Sequence, residues 1–238
     1  NIQHDGSHQA YSNYPWVNKL MAMTLELIGG SSYLWRWKHV VFHHTYVNIT
    51  GHDTDIDLGI LGRLTPHQKR LAYHRWQHFY LWPLYGLLAI KWQLVDDFRE
   101  LISGRIGNQR FPRPKGWDLA TVVAGKALYF SLMLVIPAFF LPLNRVLVNF
   151  LISAFALGLT MSLVFQLAHC IEEAKFPEPH GDARQMEYEW AVHQVETTAD
   201  FARQNPLVTW YLGGLNYQVE HHLFPHICHL HYPELSPI

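Results

Sequence analysis

The sequence predicts an all-α, integral membrane protein whose helices carry a histidine-rich cap on one membrane face, and three observations carry that prediction. Two long segments are apolar enough to cross a bilayer. Seventeen histidines stand among 238 residues, and the most suggestive of them are clustered. Aromatic residues make up 14% of the chain, including nine Trp, and Trp and Tyr collect where protein meets the membrane–water boundary. The net charge of −1 offers no surface for nucleic acid or another polyanion. Two cysteines without C-x-x-C spacing, Cys170 and Cys228, fit a reducing compartment and packing roles rather than a disulfide scaffold.

In chain order, the first element is His4-Asp5-Gly6-Ser7-His8. On a helix such an i, i+4 pair puts two imidazoles on one face. His39-Val40-Val41-Phe42-His43-His44 repeats the pair and adds a neighbour. Asn48-Ile49-Thr50 matches a glycosylation sequon but sits close to that cluster on a segment read as cytoplasmic, so it is a chance match. The stretch "DTDIDLG" from Asp53 resembles the start of a calcium loop. Leu58 and Leu64 stand where Gly and Glu are required, which excludes an EF-hand. His74 and His78 share the i, i+4 spacing but lack an adjoining histidine, and read as surface residues.

Tyr80 to Val95 is apolar, with Trp82, Tyr85 and Trp92, yet Pro83, Gly86 and Lys91 interrupt it and it is too short to span. It reads as an interfacial helix lying on the membrane surface. Arg99, Arg105, Arg110, Arg113 and Lys115 follow, the positive excess expected on the cytoplasmic side, with the Pro- and Gly-bearing stretch from Gly104 to Gly116 read as a loop. Leu119 to Leu143 then gives 25 residues with one charge, Lys126, and Val146 to Ala168 gives 23 with none. Each reaches the ~20 residues that a spanning helix requires. Joined around Asn144 and Arg145, they form a hairpin with both ends cytoplasmic. The mean hydropathy of −0.04 averages these spans with polar segments. A second loop is expected from Phe176 to Gly181.

His169 closes the second span in "VFQLAHC", where an imidazole facing lipid would be costly and needs a partner. The last cluster is Gln218-x-x-His221-His222. With His169, the three clusters supply eight imidazoles at one membrane face. A mononuclear oxygen-activating iron takes two His and a carboxylate, and a catalytic zinc takes three protein ligands, so eight exceed the needs of one ion. Two ions fit, with the adjacent pairs His43/His44 and His221/His222 each serving both. Gln218 shares a helical face with that last pair and reads as a weak neutral ligand or a brace. His193, His226 and His229 are orienting donors or structural histidines; His52, His67, His180 and His231 carry no assignment.

The boxes HDGSH, HVVFHH and QVEHH resemble the three histidine boxes of membrane fatty acid desaturases, and the leading Gln of the third is similar to the front-end type, the Δ5/Δ6 and linoleoyl-CoA desaturases. The resemblance extends through "WRWKHVVFHHTYVNITGHDTDID" and "GGLNYQVEHHLFPHICHLHYP" and covers the chain with the boxes in order. It implies one catalytic domain over 1–238, a piece of a longer protein with an earlier spanning pair and a C-terminal tail. It implies a di-iron centre held by His4, His8, His39, His43, His44, His169, His221 and His222, with Gln218 in the place of a further histidine. Electrons would come from cytochrome b5 or ferredoxin, and O₂ would be reduced as two hydrogens leave neighbouring methylenes of a fatty acyl chain carried on CoA or a membrane lipid. The active site would face the cytoplasm. A membrane di-iron hydroxylase of lipids is the alternative within enzymes. A non-redox metal-binding protein is a third reading, against which stands the scarcity of charges between 119 and 168, only Lys126 and Arg145.

Overall fold

A computed structural model describes residues 1–180 and 185–237. Helices carry the fold, and a two-stranded antiparallel hairpin, Arg105–Ile106 with Gln109–Arg110, occupies part of the loop expected between 104 and 116. Among the described residues, two helices are long and apolar enough to cross a membrane, Gly116–Ala138 and Leu143–His169, each with mean hydropathy 2.0. Only 22% and 28% of their most apolar windows are buried, whereas the core helix of a soluble protein would turn most of that surface inward. The first begins before its apolar run but ends at Ala138, five residues short of the expected end, and the second starts at Leu143. The turn therefore falls at 139–142 rather than around Asn144 and Arg145, which lie in the second helix's first turn; Pro142, with its fixed φ, stands just before that helix. Phe139 and Phe140 stand fully outward at the turn between them. The expected loop after Ala174 has no regular structure from Lys175 to Pro179, and its last residue, Gly181, lies outside the described residues.

The single charge of the apolar run from Leu119 is not left in lipid. Lys126 Nζ pairs with Asp97 Oδ2 at 2.7 Å and donates to the carbonyl of Gly29 at 2.6 Å, which satisfies a group that would otherwise be costly at that depth. The apolar stretch at 80–95 belongs to a longer helical run, Gln77–Gly86, Leu88–Lys91, a π-helix Trp92–Asp96 and Asp97–Ser103. It crosses the second spanning helix where both backbones are bare: a Cβ on Gly158 would lie 2.5 Å from the carbonyl oxygen of Gly86, and one on Gly86 would enter the Phe155 ring.

One expectation is corrected here. His78 is exposed, but His74 is buried, with Nε2 donating to the carbonyl of Ile60 at 3.0 Å and Nδ1 accepting from the Leu71 N–H at 3.2 Å. It holds the 60–71 segment, because a ring with both nitrogens satisfied can be buried at little cost. A small core of Leu34, Ile106 and Phe111, with Trp37 and Phe42 against it, ties the second histidine segment to the hairpin.

Candidate metal centre

The helices that carry the three histidine boxes are short. Ile2–Ser7 crosses Pro15–Ala22 at Gly6, where a Cβ would lie 2.6 Å from Ala22 N and 2.8 Å from Asn18 O. Only glycine permits that approach, and it sets His4 and His8 with ring centroids 4.7 Å apart.

The second cluster is not α-helical. Arg36–His43 is a π-helix, with i→i+5 bonds. At about 4.4 residues per turn each residue advances roughly 80° rather than about 100°. His43 and His44 then flank the direction of His39 by roughly 30° and 50° on opposite sides, whereas an α-helix would turn His44 about 140° away. The extra residue in the turn is what puts all three on one face. Trp35 stacks on His39 at 4.7 Å between ring centroids.

His169 is the last residue of the second spanning helix and is fully buried. Gln218–Leu223 is an α-helix whose first turn is held by the Val219 N–H donating to Asp200 Oδ1 at 2.9 Å. There the ordinary rotation of about 100° per residue separates His221 from His222.

All nine residues singled out from the sequence are buried in one place. Their nitrogens gather, within 4.8 Å of one another, into three overlapping groups: His4, His8, His39 and His221; His43, His169 and His222; His44, His221 and His222. The neighbours His221 and His222 thus reach different groups, His221 the first and His222 the second, and meet with His44 in the third. His4 Nε2 and His39 Nε2 meet at 3.0 Å, and the Gln218 amide donates to His169 Nε2 at 3.0 Å.

The donor set fits metal ions. Among the described residues, nine buried ring nitrogens in this cluster have no hydrogen-bond partner: both of His8 and of His44, Nδ1 of His39 and His169, and Nε2 of His43, His221 and His222. Each such orphan costs about 1–3 kcal/mol unless something occupies it. The outward nitrogens, by contrast, are tied. His43 Nδ1 donates to Asp53 Oδ2 at 3.1 Å and His222 Nδ1 to Gln194 Oε1 at 2.9 Å, and His221 Nδ1 shares a hydrogen bond with Tyr232 Oη at 3.1 Å. The first two bonds fix the tautomer, with N–H outward and the Nε2 lone pair inward.

Burial, reinforced by the neighbouring imidazoles, holds His8, His39, His44, His221 and His222 well below the ordinary histidine value, so they are neutral as ligands must be. His43 is the exception. Burial pulls it down too, but the charge and hydrogen bond of Asp53 outweigh that and raise it. No carboxylate enters these three groups, but Asp55 joins His39 and His43 in a further one; Asp53 and Asp55 stand 3.1 and 3.7 Å from His43 Nδ1.

The three undecided histidines are donors to the boxes. His193 Nε2 bonds the Val47 carbonyl at 3.0 Å, His226 Nδ1 the His8 carbonyl at 2.7 Å, and His229 Nδ1 the Asp5 carboxylate at 2.5 Å. Cys228 also donates to Asp5, at 3.2 Å, rather than merely packing. Asp53, Gln194 and Tyr232 escaped the sequence reading. Asp53 carries a signal, the acidic "DTDID" run, which resembles a calcium loop as much as a carboxylate that orients a histidine; Gln194 and Tyr232 carry none.

A cavity of about 980 Å³ adjoins the cluster. Its apolar wall includes Leu84, Leu88, Leu94 and Met161, and its polar wall Lys38, Asp55, Asp57 and Arg105. Trp35 and Phe165 line it too, and the Phe165 ring stands 5.3 Å from His43 and 5.4 Å from His169.

A family model described as fatty acid desaturase matches residues 1–238. The chain is 45% identical over 240 residues to an sn-1 linoleoyl-lipid 6-desaturase of Arthrospira platensis, covering 100% of this chain and 64% of the relative. It is 38% identical to an enzyme of the same description from Synechocystis sp., covering 100% of this chain and 67% of the relative. An acyl-lipid (8-3)-desaturase of Physcomitrium patens is 37% identical, covering 100% of this chain and 50% of the relative. The chain therefore spans between half and two thirds of the length of these relatives.

Proposed function

Because the chain belongs to the fatty acid desaturase family, we propose that it is the catalytic region of an O₂-dependent front-end desaturase acting on acyl groups of membrane lipids. One observation carries the reading: buried imidazoles with unpartnered nitrogens lie behind Trp35 and Phe165, which line a cavity with one apolar and one polar wall. The ligands we assign are His4, His8, His39, His43, His44, His169, His221 and His222, with Gln218 as a weak neutral ligand or a brace. Two irons held there, supplied with O₂, two electrons and two protons, would provide the oxidant that takes two hydrogens from neighbouring methylenes, leaving a double bond and two waters.

The chain's own residues orient and exclude. The bonds from His43 and His222 to Asp53 and Gln194 keep their Nε2 lone pairs inward. Trp35 and Phe165 present an apolar wall between cavity and histidines, so that methylenes rather than water lie against the site. Asp55, on the polar wall, is 3.7 Å from His43. A lipid whose polar end rests on that wall would bring the carboxyl end of its acyl chain near the metals, which supports front-end regiochemistry. The names of the relatives support linoleoyl and related acyl-lipid substrates. Cytochrome b5 or ferredoxin is the electron donor in this reading. The positive loop before the first span supports an active site on the cytoplasmic face.

Expression of the full-length protein in a host fed linoleic acid tests the proposal. A new double bond toward the carboxyl end is expected; hydroxylated product alone would replace the desaturase by a hydroxylase.

A further inference from the structure

Asn48, which the sequence offers as a glycosylation acceptor, is wholly buried. Its backbone is left-handed, with φ +57°, a conformation that Asn tolerates better than most side chains other than Gly. The amide turns inward. Nδ2 faces three carbonyl oxygens, those of His169 at 2.9 Å, Thr197 at 3.0 Å and Lys175 at 3.2 Å. His169 and Thr197 end the helices Leu143–His169 and Trp190–Thr197, whose last carbonyls have no partner within their own helix. An amide has two N–H groups, so three acceptors share them, and the negative ends of two helices meet one donor.

The backbone of Asn48 is engaged as well. Its N–H donates to Asp53 Oδ2 at 3.0 Å, the same oxygen that accepts from His43 Nδ1 at 3.1 Å. One residue therefore touches the backbone of His169 and, through one carboxylate oxygen, governs the ring of His43. His222 hangs from the helix that Asn48 caps: Gln194 in Trp190–Thr197 accepts from His222 Nδ1 and donates to the His44 carbonyl at 3.3 Å. These three histidines form one of the nitrogen groups. The group of His4, His8, His39 and His221 has its own anchors, Tyr232 on His221 and Asp5 beside His4.

We propose that Asn48 is the positioning residue of the His43, His169 and His222 centre, joining three chain segments so that one of two metals is held, while the other centre stands without it. The proposal rests on the two-iron reading. Asn48 touches neither substrate nor metal and acts only through the groups it holds.

Iron per chain, counted on purified full-length protein together with thermal unfolding, separates the cases. Wild type should hold about two irons. Asn48→Gly keeps the left-handed backbone and removes the donor, and Asn48→Asp keeps the shape but faces three carbonyls with an acceptor. Both should fall to about one iron. Gln194→Leu, which frees His222 without altering Asn48, should give the same half-loss and serves if the Asn48 variants fail to fold. Val146→Ala, at the far end of the second spanning helix, lowers stability away from the histidines and should keep both irons. Asn48 variants that keep two irons overturn the proposal, and so does loss of both. A wild-type chain with one iron or none removes the two-metal reading and the proposal with it.

Discussion

Two histidine pairs with identical spacing meet opposite fates. His4 and His8 lie in a cluster where ring nitrogens have no protein partner, while His74, four residues before exposed His78, has both nitrogens bonded to backbone. Spacing brings two rings to one helix face in either case. What distinguishes a site from a strut is whether the surroundings complete the hydrogen bonds. In the first region they are not completed: both nitrogens of His8 have no partner, nor do the Nε2 atoms of His43, His221 and His222, and a cation would complete them.

The largest effect that sharpens this contrast comes from removing an inward nitrogen. His222→Ala should abolish desaturation and lower bound iron, measured by product analysis and metal content, because His222 belongs to two of the nitrogen groups. Unchanged iron in that variant would break the comparison. Next comes Gln218, which bonds His169 without an imidazole of its own. Gln218→Ala should reduce activity by about 10–100-fold, the usual cost of losing a group that orients a ligand, and Gln218→His should retain part of it.

Acid should expose the difference in the metal-free protein. The folded values of His8, His39, His44, His221 and His222 lie well below 6.5, so below about pH 6.5 the unfolded chain binds protons that the folded chain refuses. Stability then falls with pH, and thermal unfolding of the apo form should show a midpoint dropping on the acid side of 6.5; iron should largely suppress the drop by holding the nitrogens. The smallest effects belong to the second pair. His74→Ala should cost about 1–3 kcal/mol of stability with iron retained, and His78→Ala should stay within about 0.5 kcal/mol of wild type.

Much of this was legible beforehand because it is local. The spans follow from runs of apolar residues, the eight box residues from spacing within a few positions, and His169 from its place at the end of the second span. The supports were not legible because they come from afar. Gln194 reaches His222 across 28 residues, and His74 finds its acceptor 14 residues back in a loop. The burial of His74 depends on where that loop folds, which no periodicity records. The "DTDID" run was visible but ambiguous, since a carboxylate that orients an imidazole and one that binds calcium look alike in sequence.

The π-helix at Arg36–His43 makes the second box sensitive to length in a way that its composition does not reveal. Val40 and Val41 serve as spacers, and an exchange of one apolar residue for another there leaves the angular order of the three imidazoles intact. Removing either spacer shortens the interval to one that an ordinary α-helix would accommodate, and the last histidine of the trio, with Thr45 and everything after it, then arrives one position early relative to His39. The six-residue interval from His39 to His44 is therefore a fixed ruler: evolution can repaint its inner marks but can neither add nor erase one.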